Sequence, residues 1–196
     1  SLGAVYLEDH QHDVAERTKK IAESVGLREE FTQDVIFAAE HHDDGKTDSR
    51  FQTMLGGAQS DKPLAKSAVR TRQEIWVSRQ RSGMPAGWRH EQMSVALVAT
   101  SRASGELECS DLALRIIGCS HGHGRNSFQH TDQTLLGECA VHSYQDTLQQ
   151  QAHELFLTGR WDEIMETTDR EYGPYATAYL EALERAADAQ ISREGH

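Results

Sequence analysis

Helix breakers are scarce in this chain. Only three prolines occur in 196 residues, at positions 63, 85 and 174, and strongly alternating apolar and polar segments are missing. Helix is therefore the main element available. From Asp9 onward, Val14, Ala15, Ile21, Ala22 and Val25 recur at helical spacing, and Gly26 stands where a helix would stop. Phe31 and the apolar run from Val35 to Ala39 predict a second helix, which has to end near Gly45 in His41-His42-Asp43-Asp44-Gly45-Lys46. A short third one carries Phe51, Met54 and Leu55 before Gly56-Gly57. Further helices are expected around 90–103, around 112–119 after the Ser110-Asp111 start signal, and over roughly 131–158, 160–170 and 175–192. Gly173-Pro174 opens the last, because proline is tolerated in a first helical turn. With no repeat, low-complexity linker or clear boundary, the expected fold is all-α, a single-domain helical bundle over residues 1–196.

Several functional classes are excluded. The longest apolar runs, Val35 to Ala39 and Val95 to Ala99, fall far below the roughly 18 residues needed to span a bilayer. The N-terminal residues lack the basic and long apolar regions of a secretory signal, so a cytoplasmic location is expected. Cys109, Cys119 and Cys139 form an odd set with no C-x-x-C pair, which argues against a disulfide framework or thiolate zinc site and reads as ordinary buried thiols. The formal charge of −11 opposes whole-surface attraction to phosphate or anionic lipid. Any polyanion has to be met locally, and one segment reverses the sign. Between 62 and 89, Lys62, Lys66, Arg70, Arg72, Arg79, Arg81 and Arg89 stand against Glu74 alone, giving +6. With Trp76 and Trp88 interleaved, this stretch reads either as a solvated helical face or as a contact for single-stranded nucleic acid. The Tyr172, Tyr175, Tyr179 series reads as core packing.

Histidine is the informative excess. Six of the 11 fall in the pairs His10/His12, His41/His42 and His121/His123, a pattern that points to metal. His42-Asp43, at the end of a hydrophobic helix, offers one nitrogen and up to two oxygens, and a second carboxylate oxygen can bridge two metals. Gly45 relieves steric constraint where the chain turns, and Lys46 adds positive charge for an anionic substrate.

The order of motifs carries a resemblance. The run Ala38-Ala39-Glu40-His41-His42-Asp43-Asp44-Gly45-Lys46 continues to Phe51-Gln52. Arg89-His90-Glu91 is followed by Ser94, and Tyr179-Leu180-Glu181 leads to Ala187-Asp188. Together these resemble the HD superfamily of metal-dependent phosphohydrolases, and more narrowly the HD nuclease domain of the CRISPR-associated helicase-nuclease of type I systems, over about residues 7–192. The resemblance implies a helical bundle that cleaves single-stranded DNA with divalent metal, alongside an ATP-dependent helicase domain or subunit and the CRISPR effector complex. It assigns His10, His42, Asp43 and Asp188 to a first metal. Asp43 would bridge to a second, held also by His90 and His121. Many relatives carry two adjacent histidines where this chain has Ser120-His121-Gly122-His123, which leaves His123 as an alternative ligand and the second site in question.

A phosphodiester resists hydroxide because it is already anionic. A metal pair neutralises that charge, acidifies bound water and stabilises the leaving oxygen, and Lys46 adds a further positive charge. Mixed imidazole and carboxylate ligation suits Mn, Fe, Co, Ni or Zn better than Mg. A phosphohydrolase acting on a dNTP or cyclic nucleotide is the alternative, and a non-catalytic interaction module with a decayed metal site, motivated by Ser120, is a third. No G-x-x-x-x-G-K-[ST] loop occurs, so a helicase motor is not encoded in this sequence.

Overall fold

The structure is a computed structural model that describes residues 3–68, 70–137 and 145–195. It is all-α, with ten helices and one two-stranded ribbon among the described residues. The chain runs through β1 (Val5–Tyr6), α1 (Leu7–Ser24), α2 (Glu29–His41), a 3-10 turn (Asp44–Thr47), α3 (Ser49–Leu55), β2 (Leu64–Lys66) and α4 (Arg72–Ser82). Then follow α5 (His90–Ala103), α6 (Asp111–Cys119), a second 3-10 turn (Gly124–Asn126), α7 (Asp132–Leu136), α8 (Gln145–Phe156), α9 (Arg160–Tyr172) and α10 (Pro174–Glu194).

Two helices form the centre. Every residue of α6 from Leu112 to Cys119 is buried, as are nine residues of α5, the pattern of a helix covered on all sides. Around them pack Val35 of α2, Trp161 and Ile164 of α9, and Leu180 and Leu183 of α10. Gly118 permits this approach, since a Cβ there would lie 2.3 Å from the Trp161 ring.

A smaller cluster determines where the chain's two ends meet. Val14 and Ala15 of α1, Ala39 of α2, and Ala187 and Ile191 of α10 pack together. The buried positions on α1 (Leu7, His10, Val14, Ala15, Thr18, Ala22) follow a single helical face. Three alanines at this junction keep the helix axes close. The fully buried Val14 contributes on the order of 1.5–3 kcal/mol by leaving water. A third cluster joins Trp88 and Met93 to Leu135, Leu136, Leu148 and Ala152.

The structure corrects four local expectations. The single helix expected over 131–158 is interrupted: α7 stops at Gly137, whose φ of 68° is a left-handed conformation and whose added Cβ would lie 2.6 Å from Arg50. The segment 62–89 contains α4 but also β2, which pairs antiparallel with β1. Trp88 is a core residue rather than a free stacking surface, with its Nε1–H donating to the Leu135 carbonyl at 2.9 Å, whereas Trp76 is 63% exposed. Tyr172 packs edge-on against Phe31, but Tyr175 is 91% exposed and Tyr179 half exposed, so that series is not core throughout. Cys119 is buried, and burial pushes its thiol up to about 12, while Cys109 is only half-buried. Cys139 and His142 lie outside the described residues. Among the described residues, no helix is long and apolar enough to cross a membrane.

Candidate metal centre

The centre is assembled from the first turn of α1, the C-terminal end of α2, the start of α5, the end of α6 and the last third of α10. His10 is brought inward because it lies on the apolar face of α1 with Leu7 and Val14. His42 and Asp43 follow α2 directly, where Gly45 lets the chain turn tightly beneath α5. A Cβ on Gly45 would lie 2.0 Å from the His90 carbonyl oxygen. The buried Ser94 hydroxyl fastens the turn: it accepts the Gly45 N–H at 2.8 Å and donates to the His42 carbonyl at 2.8 Å.

Asp43 stands at the middle, fully buried. Its Oδ2 faces His10 Nε2 at 3.7 Å, His42 Nε2 at 3.4 Å and Lys46 Nζ at 2.5 Å. Its Oδ1 faces His90 Nε2 at 3.1 Å. Two ligand groups therefore share one carboxylate: His10, His42 and Asp43 on one side, and Asp43, His90 and His121 on the other. Asp188, on α10, adds a carboxylate 3.2 Å from His10 Nε2. His90 Nε2 and His121 Nε2 converge to 2.9 Å.

Electrostatics fit a cation at this place. His42 Nδ1 donates to the Ala39 carbonyl at 2.8 Å, fixing the tautomer. That leaves His42 Nε2 buried without a hydrogen-bond partner among the described residues, and Asp43 Oδ1 buried with the His90 ring facing it but no aligned hydrogen bond, an arrangement that costs free energy unless something electrophilic completes it. Imidazole and carboxylate donors of this kind suit a divalent transition metal. Burial alone would raise the Asp43 carboxyl, but His42, Lys46 and His90 outweigh it and hold the group well below the usual carboxylate range. Asp188 is likewise depressed, because its hydrogen bond to His10 and the nearby His42 overcome burial. Desolvation by the surrounding protein and the facing His90 push the His121 imidazole down to about 4, keeping it neutral and able to ligate.

Of the residues named from sequence, His10, His42, Asp43, Lys46, His90, His121 and Asp188 come together. His123 does not. It is exposed and lines a separate cavity of about 240 Å³ with Arg89, Ser127 and Phe128. Gly122, in a left-handed conformation at φ 82°, turns the chain between the two histidines. Ser120 is buried, its hydroxyl unpartnered among the described residues, so this position is enclosed and polar. Arg185 of α10 holds this stretch by donating to the carbonyls of Cys119 and Ser120, each at 3.0 Å.

Three further charged groups border the centre, none of which the sequence reading placed there. Glu91 and Glu184 are fully buried, with neither oxygen hydrogen-bonded among the described residues. Each nevertheless lies near the Nδ1 of a histidine: Glu91 at 3.6 Å from His90 and Glu184 at 3.9 Å from His42. Burial pushes Glu184 up to about 7. Its available signal was position, one helical turn before Asp188. Lys66 of β2 is the third: desolvation lowers its ammonium pKa, and it interacts electrostatically with Asp188, Lys46 and Asp43. Gln52 brings β2 there, bonding to both the Lys46 carbonyl and the Leu64 backbone.

Residues 3–192 match the family model described as "Cas3, HD domain". No curated protein and no solved structure matches the chain.

Proposed function

The chain belongs to the Cas3 HD-domain family, of metal-dependent phosphohydrolase and nuclease type, and on that premise we propose that it cleaves phosphodiester bonds of single-stranded DNA in CRISPR interference. The observation that carries this reading is Asp43, which offers one carboxylate oxygen to each of two ligand groups. Such sharing matches the needs of an in-line displacement at phosphorus, where attacking and leaving oxygens both need stabilisation. The strand would come from an ATP-dependent helicase domain or subunit acting with the CRISPR effector complex, in the cytoplasm.

In this reading His10, His42, Asp43 and Asp188 hold the first cation, and Asp43, His90 and His121 the second, with Mn, Fe, Co, Ni or Zn favoured over Mg. Bound divalent cations would supply charge neutralisation and a more acidic water. The protein's own groups do the rest. Lys46, already against Asp43 Oδ2, offers its ammonium to a phosphate oxygen, and Lys66 adds a second positive charge from β2. His42 keeps its proton on Nδ1 through Ala39, so Nε2 stays a lone-pair donor. Ser94 holds the turn that aims His42 and Asp43 together.

The test is a panel of Mn²⁺, Fe²⁺, Co²⁺, Ni²⁺, Zn²⁺ and Mg²⁺ against single-stranded DNA, duplex DNA, a dNTP and a cyclic nucleotide. Cleavage concentrated on the single strand is expected. Turnover of the nucleotides with intact DNA would move the assignment to a small-nucleotide phosphohydrolase, and a protein binding no metal would support the interaction module.

His121→Ala is expected to reduce metal content from two ions to one at moderate metal concentration, while His123→Ala leaves it at the parent value; metal analysis after gel filtration reads both, and the reverse pattern would make His123 the ligand. Arg72, Arg79 and Arg81 are exposed on α4, whereas Arg70 is anchored to Met54 and Ser78. Reversing the three exposed arginines to glutamate should weaken single-strand binding and flatten its salt slope by about 0.7 for each phosphate that is no longer neutralised. Unchanged salt slopes would leave α4 a solvated face.

A further inference from the structure

We propose that the cavity enclosed by α3, α4 and the loop after Gly83 is a nucleobase subsite, which holds one base of the strand beside the scissile phosphate; it rests on the nuclease reading above. The cavity measures about 510 Å³, inside the range of pockets that take small planar ligands. Its walls are Phe51, Met54, Met84 and Trp88, with Arg79 and Gln80 on the α4 side.

Position connects it to the chemistry. The Phe51 ring lies 5.8 Å from Trp88 and 5.6 Å from His90, centroid to centroid. One ring is thus both a wall of the cavity and a packing partner of the histidine that faces Asp43 Oδ1. The cavity and the metal centre are joined through Phe51 and His90.

Composition says what fits. The half-buried Phe51 ring and the thioethers of Met54 and Met84 are polarizable surfaces suited to the face of a heterocycle, with the buried Trp88 as the floor behind them. In a protein of charge −11, no carboxylate lines the cavity among the described residues, and the charged residue on its wall is Arg79. That combination favours an aromatic group attached to an anion. The Ser82 hydroxyl is occupied by the Arg79 carbonyl and the Met84 N–H, so the polar side chains that can meet a base edge are Gln80 and Arg79, both exposed on α4. A Gln amide presents either donor or acceptor by turning and a long arginine adapts to either, so the subsite measures the presence of a base more than its identity.

The walls are held in place before any ligand arrives. Trp88 donates to the Leu135 carbonyl at 2.9 Å and lies under the Arg50 guanidinium at 5.6 Å. Arg70 donates to the Met54 carbonyl at 2.7 Å and to Ser78 of α4 at 3.0 Å, fixing α3 against α4. Ordering costs on binding are correspondingly small.

Fluorescence anisotropy of labelled oligo(dT) and of an abasic strand of equal length, in EDTA, tests the idea on the parent protein and on Ala86→Trp, which places an indole at the exposed rim. The parent is expected to bind oligo(dT) about tenfold more tightly, the scale of one stacked base. Ala86→Trp should lose most of that preference by weakening oligo(dT) alone, with abasic binding and the thermal midpoint unchanged. Met84→Ala, which removes apolar wall without filling space, should lose part of it and serves if the tryptophan variant folds poorly. Equal effects on both strands, or none on either, overturn the subsite while cleavage of single-stranded DNA by the parent still stands. Failure of the parent to cleave any strand overturns the nuclease reading instead.

Discussion

Gly45→Ala is expected to cost about 3 kcal/mol or more of folding stability, the upper end for overpacking a closed interior. The new Cβ would lie 2.0 Å from the His90 carbonyl oxygen and 2.8 Å from the Ser94 amide nitrogen. Both neighbours are backbone atoms of α5, so no rotamer change relieves the overlap. Either α5 retreats or the turn after α2 opens. Both movements separate Asp43 from His90 and break the Gly45 to Ser94 hydrogen bond, so metal binding should fall together with stability. A drop of roughly 6–12 °C in the unfolding midpoint is the scale to look for in a chain of this size. A variant with the parent's midpoint and metal content would show that α5 and the turn are not tightly apposed.

Asp43→Asn should abolish hydrolysis while leaving the helical fold in place. Asparagine keeps the shape but replaces one anionic oxygen with an NH₂ group that cannot ligate, so whichever way the amide turns, one of the two groups loses its shared donor. Changes to residues that merely orient a ligand cost about 10–100-fold in affinity or activity. Loss of the shared ligand itself should exceed that, with activity down by about a thousandfold or more. The measurement is single-strand cleavage at saturating metal, paired with circular dichroism to establish that helix content is retained. Activity within a few-fold of the parent would remove Asp43 from its bridging role.

What could be read from the sequence follows from how local each determinant is. His42, Asp43, Gly45 and Lys46 are contiguous, and their chemistry is legible because the turn that presents them lies in the same few residues. The helices are legible where one apolar face repeats without interruption, as in α1. Legibility ends where a partner from elsewhere decides. Gly137 stops α7 in a conformation that a helical pattern does not announce, beside an arginine distant in sequence. Trp88 is buried because Leu135 accepts its N–H, whereas Tyr175 is exposed because nothing among the described residues folds over the start of α10. His121 and His123 look equivalent two positions apart, and only the left-handed Gly122 between them separates their surroundings. Ser94 is recognisable as part of a motif, but its task of tying the Gly45 amide to the His42 carbonyl exists only once α5 has docked.

His10 and Asp188, 3.2 Å apart, come from opposite ends of the described chain, and the clasp made by Arg185 on the end of α6 comes from that same last helix. Contacts between such distant positions have to close a long loop of chain. The candidate metal centre is therefore complete only when α10 is docked: without it, the histidines lack both the Asp188 carboxylate and the Arg185 clasp. Metal retention by the set His10, His42, Asp43 and Asp188 is thus a readout of whether the last helix is seated.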